Sequence, residues 1–411
     1  MRDWLRSRPT AWLPAAALIV SRLVSSMRDM PQMAFFLIYL QEQLGLPPVA
    51  ISSIVSGAQV AGLVAALLAG WLTGKIGVKW VLVCGLLLSG VSSFVFYTHG
   101  LGWIVLLWFI GGGGAAWTTV GGSSALTRLT ERQALGVLSA IYALSMTLGG
   151  AIGNPLAGVL IERQGFNAFG WAAMSLAVLA ALVVVFGMTD LRKAEAVPAA
   201  PQVPAAPQVP VAPQPLHHSL LPLLRQAQVR LLIGLRGLPT LFYGMLSVLI
   251  PLLINDLSQS KVTVAAYGTV SLIVASAAQL LAGRAADRWG AFGPTLVAYS
   301  AVIISGCALF LGAGRLEVLF IFGILGNAAA WSLSTLMYIW VVDGVRREEH
   351  PAVFGLLHAV WSLCMIGGSL LGGWLVRLVP GLPFLILGSL NAGACFLAFF
   401  YYRDEKRPLG F

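Results

Sequence analysis

Twelve long apolar stretches divided by short polar clusters run along this chain, at 12–40, 49–73, 79–98, 102–124, 134–160, 167–189, 228–254, 262–285, 291–312, 317–341, 352–375 and 382–402. Each has about the 20 residues that a helix needs to cross the hydrocarbon of a bilayer. In lipid every backbone N–H and C=O must find its partner within the segment or in a closed barrel. The stretches are too long, and alternate too little, for barrel strands. The expected fold is therefore an all-α integral membrane protein whose first partner is the lipid bilayer. Asp, Glu, Lys and Arg make up only 10% of the residues, where a soluble domain carries about a quarter. That deficit excludes a large catalytic domain in water.

The stretches fall into six, a gap, and six. The gap holds Val197-Pro-Ala-Ala-Pro-Gln-Val-Pro and its continuation to Pro215, a proline-dominated repeat expected to be an extended tether. The expected division is an N-terminal six-helix half at 1–193, a cytoplasmic Pro-rich linker at 194–226 and a C-terminal six-helix half at 227–411. With the N-terminus inside, eighteen of the 25 basic residues fall on the cytoplasmic side and four opposite, at Arg163, Lys261, Arg315 and Arg377. The positive-inside rule then puts both termini and the tether in the cytoplasm. The start is basic and then apolar, but Arg22 interrupts the run and no clean cleavage site follows, so it reads as an uncleaved first span. A multi-pass protein of a bacterial plasma (inner) membrane, acting as a monomer, is expected.

Sliding the chain on itself by about 214 residues brings the halves into register. Leu67-Leu68-Ala69-Gly70 meets Leu280-Leu281-Ala282-Gly283, and Ala115-Ala116-Trp117 meets Ala329-Ala330-Trp331. At an offset of 219, Gly136, Leu138, Ala140, Leu144, Met146 and Gly149 meet Gly355, Leu357, Ala359, Leu363, Met365 and Gly368. Two homologous halves with an even number of spans share one topology. Their axis lies along the membrane normal, as in alternating-access transporters with parallel repeats, and the site should lie between them.

The loop after the second span reads Gly70-Trp-Leu72-Thr-Gly74-Lys75-Ile-Gly77-Val-Lys79, and its later copy Gly283-Arg-Ala-Ala-Asp287-Arg288-Trp-Gly290. These resemble the Gly-x-Leu-x-Asp-Arg-x-Gly-Arg-Lys signature of the major facilitator superfamily, and the likeness extends over essentially the whole chain. The resemblance implies a cytoplasmic gate built on tight glycine turns and charged helix ends. Gly74 stands where the acid belongs, so only Asp287 can play the acid's part and the gate should be asymmetric. Span five carries Gly150-Ala-Ile-Gly153-Asn154-Pro155-Leu-Ala-Gly158, which looks like the helix-5 signature of the family's proton-driven exporters, with Asn154 and Val159 replacing two of its glycines. Small residues at that spacing allow close helix approach, and Pro155 should bend the helix. The Arg that those exporters carry in span four is Trp108 here. The drug and multi-solute exporter-like branch is nevertheless the best match.

Four charges lie inside the spans: Arg22, Arg28 and Asp29 in the first and Arg236 in the seventh. An ionised side chain at mid-bilayer costs about 2.5–3.5 kcal/mol on the insertion scale, which makes such residues candidates for function. Arg22 and Asp29 are two turns apart on one face, roughly 10 Å from each other. Arg28 should point about 100° away, alongside Gln32. The internal repeat pairs Arg22 with Arg236 and Asp29 with Tyr243. A buried carboxylate whose proton affinity is set by desolvation and neighbouring arginines can carry protons across, so Asp29 is the expected coupling acid. Arg22, Arg28, Arg236, Tyr243, Trp117, Asn327 and Trp331 are expected around a substrate cavity.

The leading expectation is proton-antiport export of an amphipathic organic small molecule. An alternative is carriage of an organic anion gripped between Arg22 and Arg236, which resembles the arrangement in the superfamily's organophosphate antiporters. A second is a non-transporting sensor of the same fold. No catalytic cluster or phosphate loop is found: Gly111 to Gly114 lack the Lys-Ser/Thr that must follow. Cys84, Cys307, Cys364 and Cys395 lie in apolar runs without metal-ligand spacing. No enzyme activity, cofactor, metal or nucleic-acid partner is expected.

Overall fold

A computed structural model describes residues 12–129, 135–188, 222–346 and 349–405. Most of the proline tether, 194–221, lies outside the described residues, as does Arg132. The helices are α1 (Trp12–Leu44), α2 (Pro48–Ile76), α3 (Val78–Val91), which tightens into a 3-10 turn at Ser92–Tyr97, and α4 (Leu101–Leu129). One helical run, Leu135–Gly187, is broken at Gly165 into α5 (135–164) and α6 (166–187). The second half continues with α7 (Ala227–Ser258), α8 (Lys261–Trp289), α9 (Phe292–Gly312), α10 (Leu316–Gly344), α11 (His350–Leu375) and α12 (Leu382–Glu405). These rods account for the twelve expected spans, and no strand occurs among the described residues.

Nine described helical stretches are long and apolar enough to cross a membrane. The α5–α6 run counts once among them although it makes two passes. Arg22, Arg28, Asp29 and Gln32 dilute α1 below that standard, and α12 contributes the shorter apolar stretch Leu382–Phe396. Helices outrun the apolar stretches by several residues, because polar side chains at a helix end reach water while the backbone stays paired.

Three glycines set the tightest turns. Gly77 (φ 89) and Gly290 (φ 79) occupy the same place in the two copies of the signature loop, between α2 and α3 and between α8 and α9. Gly165 (φ 83) turns α5 into α6 with no loop at all. Each uses a backbone conformation that a side chain disfavours.

The internal repeat recurs in the packing. Gly149 on α5 lies so close to α1 that a Cβ would collide with the Leu23 carbonyl, and Gly368 on α11 meets the Leu241 carbonyl of α7 in the same way. In each half the fifth helix rests on the first through a glycine.

Candidate functional site: one cavity in each half

The bundle has a basic end, where the loops bear Lys75, Lys79, Arg128, Arg288 and Arg346, and a far end, where α1 meets α2 and α7 meets α8. The halves are joined from mid-bundle toward the far end. Thr147 bonds Ser276 at 3.2 Å, and Ser56 bonds Ser369 at 2.8 Å with both residues buried. At the far end the Gln41 side-chain amide donates to Asp256 (2.9 Å), and Glu42 accepts from Asn255 (2.9 Å) and pairs with Lys261. The Glu162 carboxylate accepts from the backbone N–H of Val262 at 3.1 Å, an anion at the positive end of α8.

The helix-5 motif belongs to this seam. A Cβ on Gly150 would meet Leu272 at 2.8 Å, and one on Gly158 would meet Ala265 at 2.7 Å. Asn154 is buried, its amide 2.9 Å from where Gly268 would carry a Cβ. Pro155 sits within the helical run, and the change of direction falls at Gly165. Small residues on α5 and α8 thus let two helices of opposite halves touch backbone to backbone.

The site was expected between the halves, but the two cavities, each of about 330 Å³, lie one within each half, because each is enclosed by helices of a single half. The N-half cavity is walled by α1, α2, α3 and α4, with Arg22, Arg28, Asp29 and Gln32 among Trp108, Gly112 and Ala115. Arg28 does not point away from Asp29 as the helical wheel suggests. Its long side chain folds back, and Nε donates to Asp29 Oδ1 at 2.9 Å while Nη2 contacts the same oxygen and donates to Ser89 at 2.8 Å. Arg28 is only 2% exposed, whereas the Asp29 side chain is 33% exposed. Gln32 donates to Ser92 at 2.8 Å and anchors the same wall. Arg22 makes no ion pair with Asp29 among the described residues; it lies against the Met146 sulfur and over the Tyr142 ring at 5.6 Å.

The C-half cavity is lined by Arg236, Tyr243, Gln279, Trp331, Ser334, His358 and Trp361. Arg236 Nη1 donates to Ser334 at 2.6 Å. Tyr243 meets Trp331 edge to face at 6.4 Å, and His358 stacks on Trp361 at 5.6 Å. The expected pairing of Arg22 with Arg236 is therefore not made here, for the two line separate cavities. Trp117 and Asn327 line neither one. Trp117 Nε1 bonds the Ala65 carbonyl at 2.9 Å, tying α4 to α2, and Asn327 donates to Ser271, tying α10 to α8. Ser89, Ser92 and Ser334 also line the cavities, and no signal in the sequence singles out these serines.

At the basic end, Lys75 sits over the Trp71 ring at 3.8 Å and Lys79 donates to the Val185 carbonyl at 2.8 Å. Asp287 is exposed and, among the described residues, neither it nor Arg288 forms an ion pair. Gly70, Gly74 and Gly283 lie in the closing turns of α2 and α8.

Residues 16–339 match the family model described as Major Facilitator Superfamily, and a second match covers 241–411. Among characterised relatives, Multidrug resistance protein 1 of Bacillus subtilis is 25% identical over 169 residues, 40% of this chain and 42% of that one. The class C tetracycline resistance protein of Escherichia coli is 28% identical over 193 residues, 43% of this chain and 46% of that one. The chain thus spans less than half the length of these relatives. A bacterial homolog of the human lysosomal transporter Spinster, solved inward-facing and unoccupied, shares the fold with a TM-score of 0.73 at 13% identity, over 96% of this chain and 98% of that one. A nucleoside transporter does so with a TM-score of 0.72 at 13% identity, over 96% and 99%. The chain belongs to the major facilitator superfamily.

Proposed function

We propose that this transporter exports an amphipathic organic small molecule in exchange for protons, with Asp29 as the coupling acid. The observation that carries the reading is the setting of Asp29. It is the one acid among the residues lining the two cavities, and it is open to the cavity while its arginine partner is buried. Arg28 pairs with it, and Arg22 lines the same cavity. Substrate arriving beside Asp29 and a proton arriving on it can each weaken the hold of the other. That is the differential binding which exchange requires.

A joined far end fits the state open to the cytoplasm in an alternating-access cycle. Rocking of the halves would part Glu42 from Lys261 and bring the glycine turns at Gly77 and Gly290 together. Export is the direction favoured by the multidrug and tetracycline resistance relatives. The test is flux in proteoliposomes under an imposed pH gradient. Wild-type flux should follow the gradient and Asp29→Asn flux should not. Undiminished gradient dependence in Asp29→Asn would overturn the coupling role. Absence of flux for every member of a broad compound panel would favour the sensor reading.

A further inference from the structure

The two cavities have equal volume, and each lining carries one arginine without a carboxylate partner, Arg22 in the N-half and Arg236 in the C-half. In the N-half, the Asp29 carboxylate neutralises Arg28. In the C-half, Arg236 is the only formally charged residue in the lining. Among the described residues no Asp or Glu lies within ion-pair distance of it. A guanidinium held within a span is costly unless something offsets its charge, and here the protein supplies only a hydroxyl.

That hydroxyl is informative. Ser334 takes Nη1 of Arg236 at 2.6 Å and fixes the plane of the guanidinium. Nε and Nη2 receive no acceptor among the described residues, and Arg236 lines both this cavity and an adjoining one of about 240 Å³. What remains is one guanidinium edge with two parallel donors, the geometry that a planar carboxylate fills bidentately. One positive charge balances one negative charge, whereas a phosphate monoester, near two negative charges at neutral pH, would stay under-compensated. The walls beside this edge are rings: Trp331 packed on Tyr243, and Trp361 stacked under His358. Rings favour a flat apolar body next to the charged group.

We infer that the C-half cavity is a subsite for the carboxylate end of an aromatic or similarly flat organic acid, seated on the free edge of Arg236 between Trp331 and Trp361. The inference rests on the exporter reading and narrows its substrate class. It also replaces a clamp of two arginines with a single one, since Arg22 lines the other cavity.

Calorimetric titration of the full chain in nanodiscs, without any pH gradient, tests this with three probes: 2-naphthoate, methyl 2-naphthoate and 2-naphthyl phosphate. The acid should bind saturably and at least tenfold tighter than the ester, and tighter than the phosphate. Arg236→Gln should weaken the acid at least tenfold and erase the preference over the ester. Arg236→Lys should recover part of the affinity, because a point charge replaces a fork. Ser334→Ala, which keeps the charge and gives a second variant should Arg236→Gln fold poorly, should weaken the acid severalfold. Arg377→Gln, a charge change in the far-end loop, should change nothing. Equal binding of acid and ester, a preference for the phosphate, no saturable binding of the acid, or an unaltered preference in Arg236→Gln and Ser334→Ala would each overturn the subsite. Failure of the exporter reading is seen separately: flux indifferent to a pH gradient sinks proton coupling while carboxylate-selective binding keeps the subsite.

Discussion

If the far end is a latch between the halves, removing charge from Glu42 should raise the fraction of molecules open on that side. Glu42 accepts from Asn255 at 2.9 Å and pairs with Lys261, which itself donates to Asn255 at 3.0 Å. Glu42→Gln keeps an oxygen for Asn255 and loses the ion pair. A charge-assisted bond in a buried setting contributes about 1.5–3 kcal/mol, and a fully exposed ion pair about 0–1 kcal/mol. Lys261 is 13% and Glu42 28% exposed, so this pair lies between those limits. A loss of about 1–2 kcal/mol changes the ratio of the two arrangements by about five- to thirtyfold.

The reporter is Ser369→Cys in a background with the four native cysteines replaced by alanine. Ser369 is 2% exposed at the seam with Ser56, so it reacts only when the far end parts. Labelling by an impermeant maleimide supplied from the far side should speed up by that factor in Glu42→Gln and in Lys261→Gln. The double variant should be little faster than either single one, since both remove the same bond. Rates within twofold of the parent in both single variants, or fully additive effects in the double one, would refute the latch.

Two other outcomes follow from the same geometry. Gly158→Val puts a Cβ 2.7 Å from that of Ala265 and 3.0 Å from the Lys261 carbonyl; overpacking of that kind costs about 1–3 kcal/mol. The penalty falls on the joined far end, so Ser369→Cys labelling should again accelerate, and an unchanged rate would show that α5 and α8 do not set the seam. At the basic end, the hydrogen bond from Arg346 (2.7 Å) holds the Glu349 carboxyl below its ordinary range, with help from Gln226 at 3.1 Å. A lowered native pKa gives stability that is present above the unfolded value, near 4.3, and is lost as pH falls through the native one. The melting difference between wild type and Arg346→Gln should hold steady down to about pH 5 and close at lower pH; a gap that widens on acidification would reverse the sign.

Much of the candidate site was legible because its signals are local. Arg22, Arg28, Asp29 and Arg236 stand out against apolar runs wherever those runs fold, and all four line cavities. Gly77 and Gly290 were legible because a turn of that kind needs a residue without a Cβ. Tyr243 and Trp331 followed from the repeat. Trp117 and Asn327 did not, because a polar atom on a helix face serves a cavity or a neighbouring helix according to what stands opposite it. The helical wheel separated Arg28 from Asp29 because it places Cα atoms, and a guanidinium on a long stem reaches well beyond its own sector.

From the sequence alone came the membrane, the twelve spans in two related sets of six, the turns of the signature loops and the identity of the intramembrane charges. Each follows from hydrophobic run length, periodicity or backbone sterics, which act over a few residues. Only the tertiary structure decided that Asp29 pairs with Arg28 and not Arg22, that Arg22 and Arg236 look into different cavities, and that Glu42, Asn255, Lys261 and Glu162 join the far end. The far-end contacts bring together residues 100 to 219 positions apart in the chain. Which of them form depends on how one half sits against the other, and local sequence preference does not choose between two such arrangements.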